Sequence, residues 1–281
     1  MNPKSEIWKV GEFHFTVDVA GPQSGPPVLL LHGFPETRYM WRDCLRSLAS
    51  AGFHAVAPDQ RGYSPGARPP EVQAYTTDFL TGDALALMDL GGARRFHLVG
   101  HDWGGQLAWL IAAAHPDRVA TLTILSRPHP AAFTRALAAD PEQAKRSRHH
   151  KGFREADAVA RLRQDNCKAL KTGMEREGVS SANIQVYFDT LSAPGALESA
   201  VNWYRANNIA FDKVPAIAVP TLYIWGTADG TVGRHAAELT GQFVTGSYRF
   251  IEMENGGHFI VDQFPDRVSR LLLEHLKSAD L

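Results

Sequence analysis

The sequence predicts an α/β protein in which a mostly parallel, eight-stranded sheet carries helices on both faces and is interrupted by an all-helical insertion. Three observations lead there. Short apolar runs rich in β-branched residues, each ended by Gly, Pro or Asp, alternate with amphipathic helical patterns. That alternation stops at about Arg127 and resumes after Asp212. The apolar runs are nearly continuous rather than alternating, the mark of strands covered on both sides by crossover helices.

Taken in order, residues 13–19 alternate and pair with 8–10 as an antiparallel edge. Strands are expected at 27–31, 54–57, 96–99, 121–125, 221–225 and 248–251, and helices at 37–50, 76–90, 104–115 and 265–276. Between 127 and 212 the pattern is helical, punctuated by Pro128-His129-Pro130, Asp140-Pro141 and Pro194-Gly195. The expected division is therefore 1–126 and 213–281 for the sheet-bearing core and 127–212 for the insertion.

Composition narrows the functional classes. Hydrophobic residues make up 44% and charged residues 21%, and 29 Lys and Arg stand against 30 Asp and Glu, so no global field draws the chain to nucleic acid or an anionic membrane. Residues 135–171 hold more basic than acidic side chains, but the two are interspersed and no aromatic stacking platform accompanies them, which reads as solvated helix faces. Cys44 and Cys167 are far apart and show no metal-ligand spacing, so no disulfide framework or metal site is expected. The N-terminus has no apolar leader core, and the longest apolar stretch, 107–114, is far short of a membrane span. The expected location is the cytoplasm.

The chemistry begins at Gly100-His101-Asp102-Trp103-Gly104, which follows an expected strand and opens an expected helix. This is a nucleophile elbow: small residues permit a tight strand-to-helix turn that lifts the central side chain above the sheet at the positive end of a helix. Alone, Asp102 would read as a helix N-cap. Two further strand ends change that reading. The strand at 221–225 runs into Asp229, and the strand at 248–251 runs toward Gly256-Gly257-His258, giving the order nucleophile, acid, histidine. The end of the strand at 121–125 offers Ser126 and Arg127 rather than a carboxylate, which leaves Asp229 as the acid.

After the strand at 27–31 comes His32-Gly33-Phe34-Pro35. The backbone amides of Phe34 and Trp103 are expected to converge as an oxyanion hole, and His32, Pro35 and Trp103 to touch substrate, the bland alternative being a Gly-Pro turn with a packed histidine. An Asp nucleophile also selects a reaction. Attack by a carboxylate on saturated carbon leaves an ester that water can cleave through the oxyanion hole, whereas a serine would leave an ether. His258, oriented by Asp229, would be the base for that water.

The motifs His32-Gly-Phe-Pro35, Asp59-Gln-Arg-Gly-Tyr63-Ser64, Gly100-His-Asp-Trp-Gly-Gly105 and Asn202-Trp-Tyr-Arg205 resemble those of the epoxide hydrolases of the α/β-hydrolase fold. The likeness covers nearly the whole chain, with the insertion corresponding to that family's cap. It implies hydrolysis of a small apolar epoxide to a vicinal diol through a covalent ester, without cofactor or metal, by a protein with no nucleic-acid or membrane partner; a homodimer is left open. The resemblance also implies two cap tyrosines that hydrogen-bond the epoxide oxygen. Tyr204 matches one. At the other's place this chain departs, with His149 in the doublet His149-His150, while Tyr187 lies outside the matching segment. An imidazole N–H or imidazolium is a competent donor.

Two other functions use the same parts. Haloalkane dehalogenases share the Asp nucleophile and the Trp after it, but many carry Asn where this chain has Phe34, and they do not need the Tyr204 motif. A non-catalytic ligand-binding homologue of the same fold would commonly have lost part of the set that survives here.

Overall fold

In the computed structural model, which describes residues 2–207 and 213–279, the strands are β1 (Lys4–Val10), β2 (Phe13–Ala20), β3 (Pro27–Leu31), β4 (His54–Pro58), β5 (Phe96–His101), β6 (Val119–Leu125), β7 (Thr221–Gly226) and β8 (Tyr248–Met253). Among the described residues they form one eight-stranded sheet in the order β1-β2-β4-β3-β5-β6-β7-β8. β2 is antiparallel to both β1 and β4, and every other pairing is parallel. Strands β3 to β7 are buried almost residue for residue, whereas the edge strands β1 and β8 are largely exposed or half-buried. Continuous apolar runs thus mark the centre of the sheet, as expected of parallel strands covered on both faces.

The crossover helices are α1 (Arg42–Ser50), α2 (Thr77–Leu90) and α3 (Asp102–Ala114). Between β6 and β7 lie α4 (Pro130–Ala139), α5 (Pro141–Arg146), α6 (Arg148–Arg154), α7 (Ala158–Arg176), α8 (Ser181–Leu191) and α9 (Ala196–Ala206). After β7 come α10 (Arg234–Leu239), α11 (Ile260–Gln263) and α12 (Pro265–Leu276). Helix α1 packs on α12 and α2 packs on α3, so each pair covers one face of the sheet. The expected helix at 37–50 is a 3-10 turn, Arg38–Trp41, running into α1, and a second 3-10 turn, Val72–Tyr75, precedes α2.

Two of the prolines that punctuate the insertion start helices. Pro130 and Pro141 sit in the first turns of α4 and α5, behind His129 and Asp140, whose side chains accept from the Ala131 and Glu142 amides. The break within α7 comes without proline: Asp165, Asn166 and Cys167 adopt left-handed φ of 48°, 56° and 60°. The basic side chains of this region lie on exposed faces and pair locally, Arg161 with Glu155 and Asp157 and Arg163 with Glu198. The expected end of the insertion at Asp212 lies outside the described residues.

The strand order places the site. The chain steps from β3 outward to β4, returns to β5 on the other side of β3, and then proceeds to β6 and β7. The order reverses between β3 and β5, and at such a switch point the loops leaving the carboxyl ends of neighbouring strands diverge and open a crevice. Leu31 pairs in register with Gly100, so the turn after β3 and the turn after β5 emerge side by side.

Candidate active site

The elbow at the end of β5 has the geometry its sequence demands. Asp102 takes φ of +48°, a left-handed conformation that a non-glycine residue adopts only under constraint from its surroundings. That constraint is close packing. A Cβ on Gly104 would lie 2.1 Å from the Leu31 carbonyl oxygen, and one on Gly33 would lie 2.4 Å from the Asp102 Cβ. The chain can therefore turn tightly against β3, leaving the Asp102 carboxylate between the two strand ends.

Around that carboxylate the expected partners assemble. The Phe34 amide donates to Asp102 Oδ1 at 3.0 Å. The Trp103 amide belongs to the first turn of α3, where N–H groups have no intrahelical acceptor. Asp102 Oδ2 lies 3.5 Å from His258 Nε2, and His258 Nδ1 is 3.0 Å from Asp229 Oδ2. With Nδ1–H donated to Asp229, Nε2 is the nitrogen turned toward Asp102. Asp229 is fixed in turn by the Thr231 and Val232 amides, at 2.7 and 2.8 Å. Burial opposes charge on both Asp102 and His258, but for Asp102 His258, His101 and the Phe34 amide override it, and for His258 Asp229 and Asp102 do. Asp102 is held far below the ordinary carboxylate range, and His258 is raised well above the ordinary imidazole range.

A cavity of about 260 Å³ opens above Asp102 and His258, walled by Phe34, Pro35 and Phe259 from the core and by Phe153, Leu170, Met174 and Tyr204 from the inserted helices. A larger hollow of about 590 Å³ lies at the far edge of the sheet, beside Lys4, Trp8 and Leu90, and contains none of the groups just described. Tyr204, on α9, is buried, and burial together with the Asp102 charge pushes its phenol well above the usual value, which keeps the hydroxyl protonated. His149, on α6, also lines the cavity, its ring 6.4 Å from that of Tyr204.

The structure bears on three of the expectations. The first concerns His149: its Nδ1 lies 3.1 Å from the Arg146 carbonyl oxygen, so that nitrogen carries the proton and the neutral ring leaves Nε2 as a lone pair. Burial also lowers its pKa, so only the imidazolium, favoured in acid, has a second N–H to donate. The second concerns His32, which is a packed turn residue: Nδ1 bonds the Gly33 carbonyl, Nε2 accepts from the Gln60 amide, and the ring abuts Tyr63. The third is the indole of Trp103, which packs edge-on to Tyr204 at 5.1 Å and Trp203 at 5.8 Å and lies outside the cavity lining, its N–H without a hydrogen-bond partner among the described residues. Of the three expected substrate contacts, Pro35 alone reaches the wall. Tyr187 points elsewhere, donating its hydroxyl to Asp262 at 2.7 Å.

The structure adds residues that sequence reasoning left without a role. Glu36, directly after Pro35, and His101, directly before Asp102, form a wholly buried pair at 2.8 Å. The other nitrogen of His101 donates to the His258 carbonyl at 2.9 Å, so the ring ties the Asp102 turn to the His258 loop. His101 lay inside the Gly100–Gly105 motif and Glu36 directly after the His32–Pro35 motif, and their adjacency to Asp102 and Pro35 was the available signal. Glu177, at the end of α7, lines the cavity as well. Among the described residues no cluster of three or more His, Cys, Asp or Glu is placed to hold a metal ion, and no helix is long and apolar enough to cross a membrane.

Residues 26–265 match the family model for the alpha/beta hydrolase fold. The chain is 34% identical to epoxide hydrolase 4 of Mus musculus over 94% of its own length and 76% of that protein. It is 32% identical to epoxide hydrolase A of Mycobacterium tuberculosis, covering 93% of this chain and 94% of the other. Among solved structures, an epoxide hydrolase from hot-environment metagenomes superposes with a TM-score of 0.87 at 28% identity, over 98% of this chain and 99% of that one.

Proposed function

This chain is a member of the α/β-hydrolase-fold epoxide hydrolase family, and from that premise we propose that it hydrolyses a small, largely apolar epoxide to a vicinal diol by way of an ester on Asp102. The observation that carries the proposal is a carboxylate on the elbow, 3.0 Å from an amide donor and 3.5 Å from the base, sharing one cavity with a buried tyrosine hydroxyl.

In the first half-reaction an Asp102 oxygen attacks a ring carbon and the carbon–oxygen bond of the epoxide breaks. The departing alkoxide is a strong base and takes its proton from the Tyr204 hydroxyl, which solvent restores, or in acid from the His149 imidazolium. Asp229 and Asp102 together had raised His258; esterification removes the Asp102 share, so the imidazolium releases its proton to solvent and its Nε2 lone pair becomes free. In the second half-reaction Nε2 takes a proton from water and the hydroxide adds to the Asp102 carboxyl carbon. The resulting oxyanion is met by the Phe34 and Trp103 amides. Collapse breaks the ester, the proton on His258 passes to the departing alkoxide and the diol leaves; the proton of the new Asp102 carboxyl then returns to His258, which restores the carboxylate and the imidazolium.

The test is intact-protein mass spectrometry of His258→Gln after exposure to styrene oxide. The expected result is a gain of one substrate mass located on Asp102, with diol production lost in both His258→Gln and Asp102→Asn. Wild-type turnover that persists in Asp102→Asn would overturn it.

One observation favours a second reading. The indole N–H of Trp103 has no hydrogen-bond partner among the described residues and is of the donor type a dehalogenase would require for halide, but it lies outside the cavity lining. Phe34 brings no side-chain N–H to share the ion, so the epoxide reading is preferred. Release of halide without diol from a panel of haloalkanes and epoxides would reverse that preference.

A further inference from the structure

We infer that Glu177, on the inserted helices, is a positioning residue for the catalytic base: its carboxylate clasps the backbone on both sides of the Asp229–His258 pair and holds His258 for the water step. The carboxylate spans two loops that are otherwise far apart in sequence. Oε2 accepts from the His258 amide at 2.5 Å, and Oε1 accepts from the Gly230 amide, next to Asp229, at 3.1 Å. One side chain thus fixes the main chain beside both members of the acid–base pair. Charge-assisted bonds of this kind are among the stronger ones available to a backbone N–H.

The neighbouring glycines support the same conclusion independently. A Cβ on Gly230 would lie 2.2 Å from Glu177 Oε1, and a Cβ on Gly257 would lie 2.4 Å from Oε2. The residues flanking Asp229 and His258 are therefore ones that leave room for this carboxylate. Other insertion side chains grip the same acid loop. Gln143 donates to the Thr231 carbonyl and accepts from the Gly233 amide, at 2.9 and 2.8 Å, and Arg146 donates to the Asp229 carbonyl at 2.5 Å. Only Glu177 also reaches the histidine loop among these three.

The consequence separates the two half-reactions. Alkylation uses Asp102 and the cavity donors and does not depend on the direction of the His258 lone pair. Hydrolysis of the ester does, because the proton must leave water along the Nε2 direction. An insertion displaced from the core would release the His258 and Gly230 amides, and the base would be complete only when the helices sit down over the cavity.

This rests on the two-step reading of Asp102 and His258, so the test has one arm that needs no turnover. In the first arm, amide hydrogen exchange at His258 and Gly230 is measured by NMR in wild type, Glu177→Gln and Glu177→Ala. Exchange at both amides is expected to accelerate at least about tenfold in Glu177→Ala and at one of them in Glu177→Gln, which keeps a single acceptor oxygen. In the second arm, single-turnover kinetics with styrene oxide follow ester formation and decay. Ester decay is expected to slow about tenfold or more in Glu177→Ala and less in Glu177→Gln, with formation within about threefold of wild type, so the ester accumulates. Unchanged exchange at both amides would overturn the clasp. Equal slowing of both half-reactions, or of neither, would overturn the positioning role. Absence of any ester in wild type would instead count against the two-step reading, while the exchange arm still decides the clasp.

Discussion

In the proposed reaction, single atoms decide how the epoxide oxygen is protonated. Tyr204 keeps its hydroxyl because burial and Asp102 raise its pKa, so its contribution to ring opening should be independent of pH across the neutral range. Tyr204→Phe should therefore slow ester formation about 100-fold or more across the neutral range, the usual scale for a lost general acid. His149 behaves differently, because its Nδ1–H is committed to Arg146 and burial lowers its pKa. Its imidazolium grows only as pH falls below the ordinary imidazole value, while Asp102 stays ionised throughout because its own pKa is held far lower. Ester formation in wild type should accelerate toward acid and be flat in His149→Phe; a flat wild-type profile would remove His149 from the chemistry. The sequence disclosed the place of this residue but not its tautomer. A carbonyl three residues back in the same turn decides that, and no motif encodes it.

At the scale of elements, the strongest constraint is the crossing of β3 and α3 at the elbow. Gly104→Ala would put a methyl group 2.1 Å from the Leu31 carbonyl oxygen, and backbone on both sides leaves little room to give. The expected cost is about 3 kcal/mol in denaturant unfolding, at the upper end for overpacking, with the Asp102 carboxylate displaced from Phe34. A midpoint equal to that of wild type would show that the elbow is looser than its geometry. The elbow was legible because its glycines fall at fixed offsets from Asp102, and the central strands were legible because burial on both faces makes them continuous apolar runs. The edge strand β1 begins at Lys4 rather than at Trp8 because its exposed positions carry polar residues that send no hydrophobic signal. Helix α10 was not foreseen, being a single short run behind Gly233. Glu177 was illegible for a related reason: it ends a helix among other charged residues, and only the glycines beside Asp229 and His258 hint that something approaches them.

For the molecule as a whole, buried histidines set the response to acid, and they do not all pull the same way. His101 and His258, raised by carboxylate partners against the cost of burial, contribute stability that is complete below the ordinary imidazole pKa and is lost as pH rises through their folded values. His97 and His129 are the opposite case: burial depresses each to about 4, so the unfolded chain binds more protons between there and the ordinary value of 6.5. Their contribution is present above 6.5 and is lost as pH falls toward 4. His129 ties this to the insertion, because its Nδ1 lone pair caps α4 by accepting from the Ala131 amide at 3.2 Å while the ring stacks on Phe243 at 4.8 Å. A proton on Nδ1 would abolish the cap and leave a charge in a buried stack. Asparagine keeps a capping oxygen and does not titrate. His129→Asn should lose some packing at neutral pH but show a smaller fall in Tm between neutral pH and about pH 5, by about 2 kcal/mol or ~4 °C, than wild type. Parallel Tm-against-pH curves for the two proteins would place the acid sensitivity elsewhere, with His97 on β5 the next residue to replace.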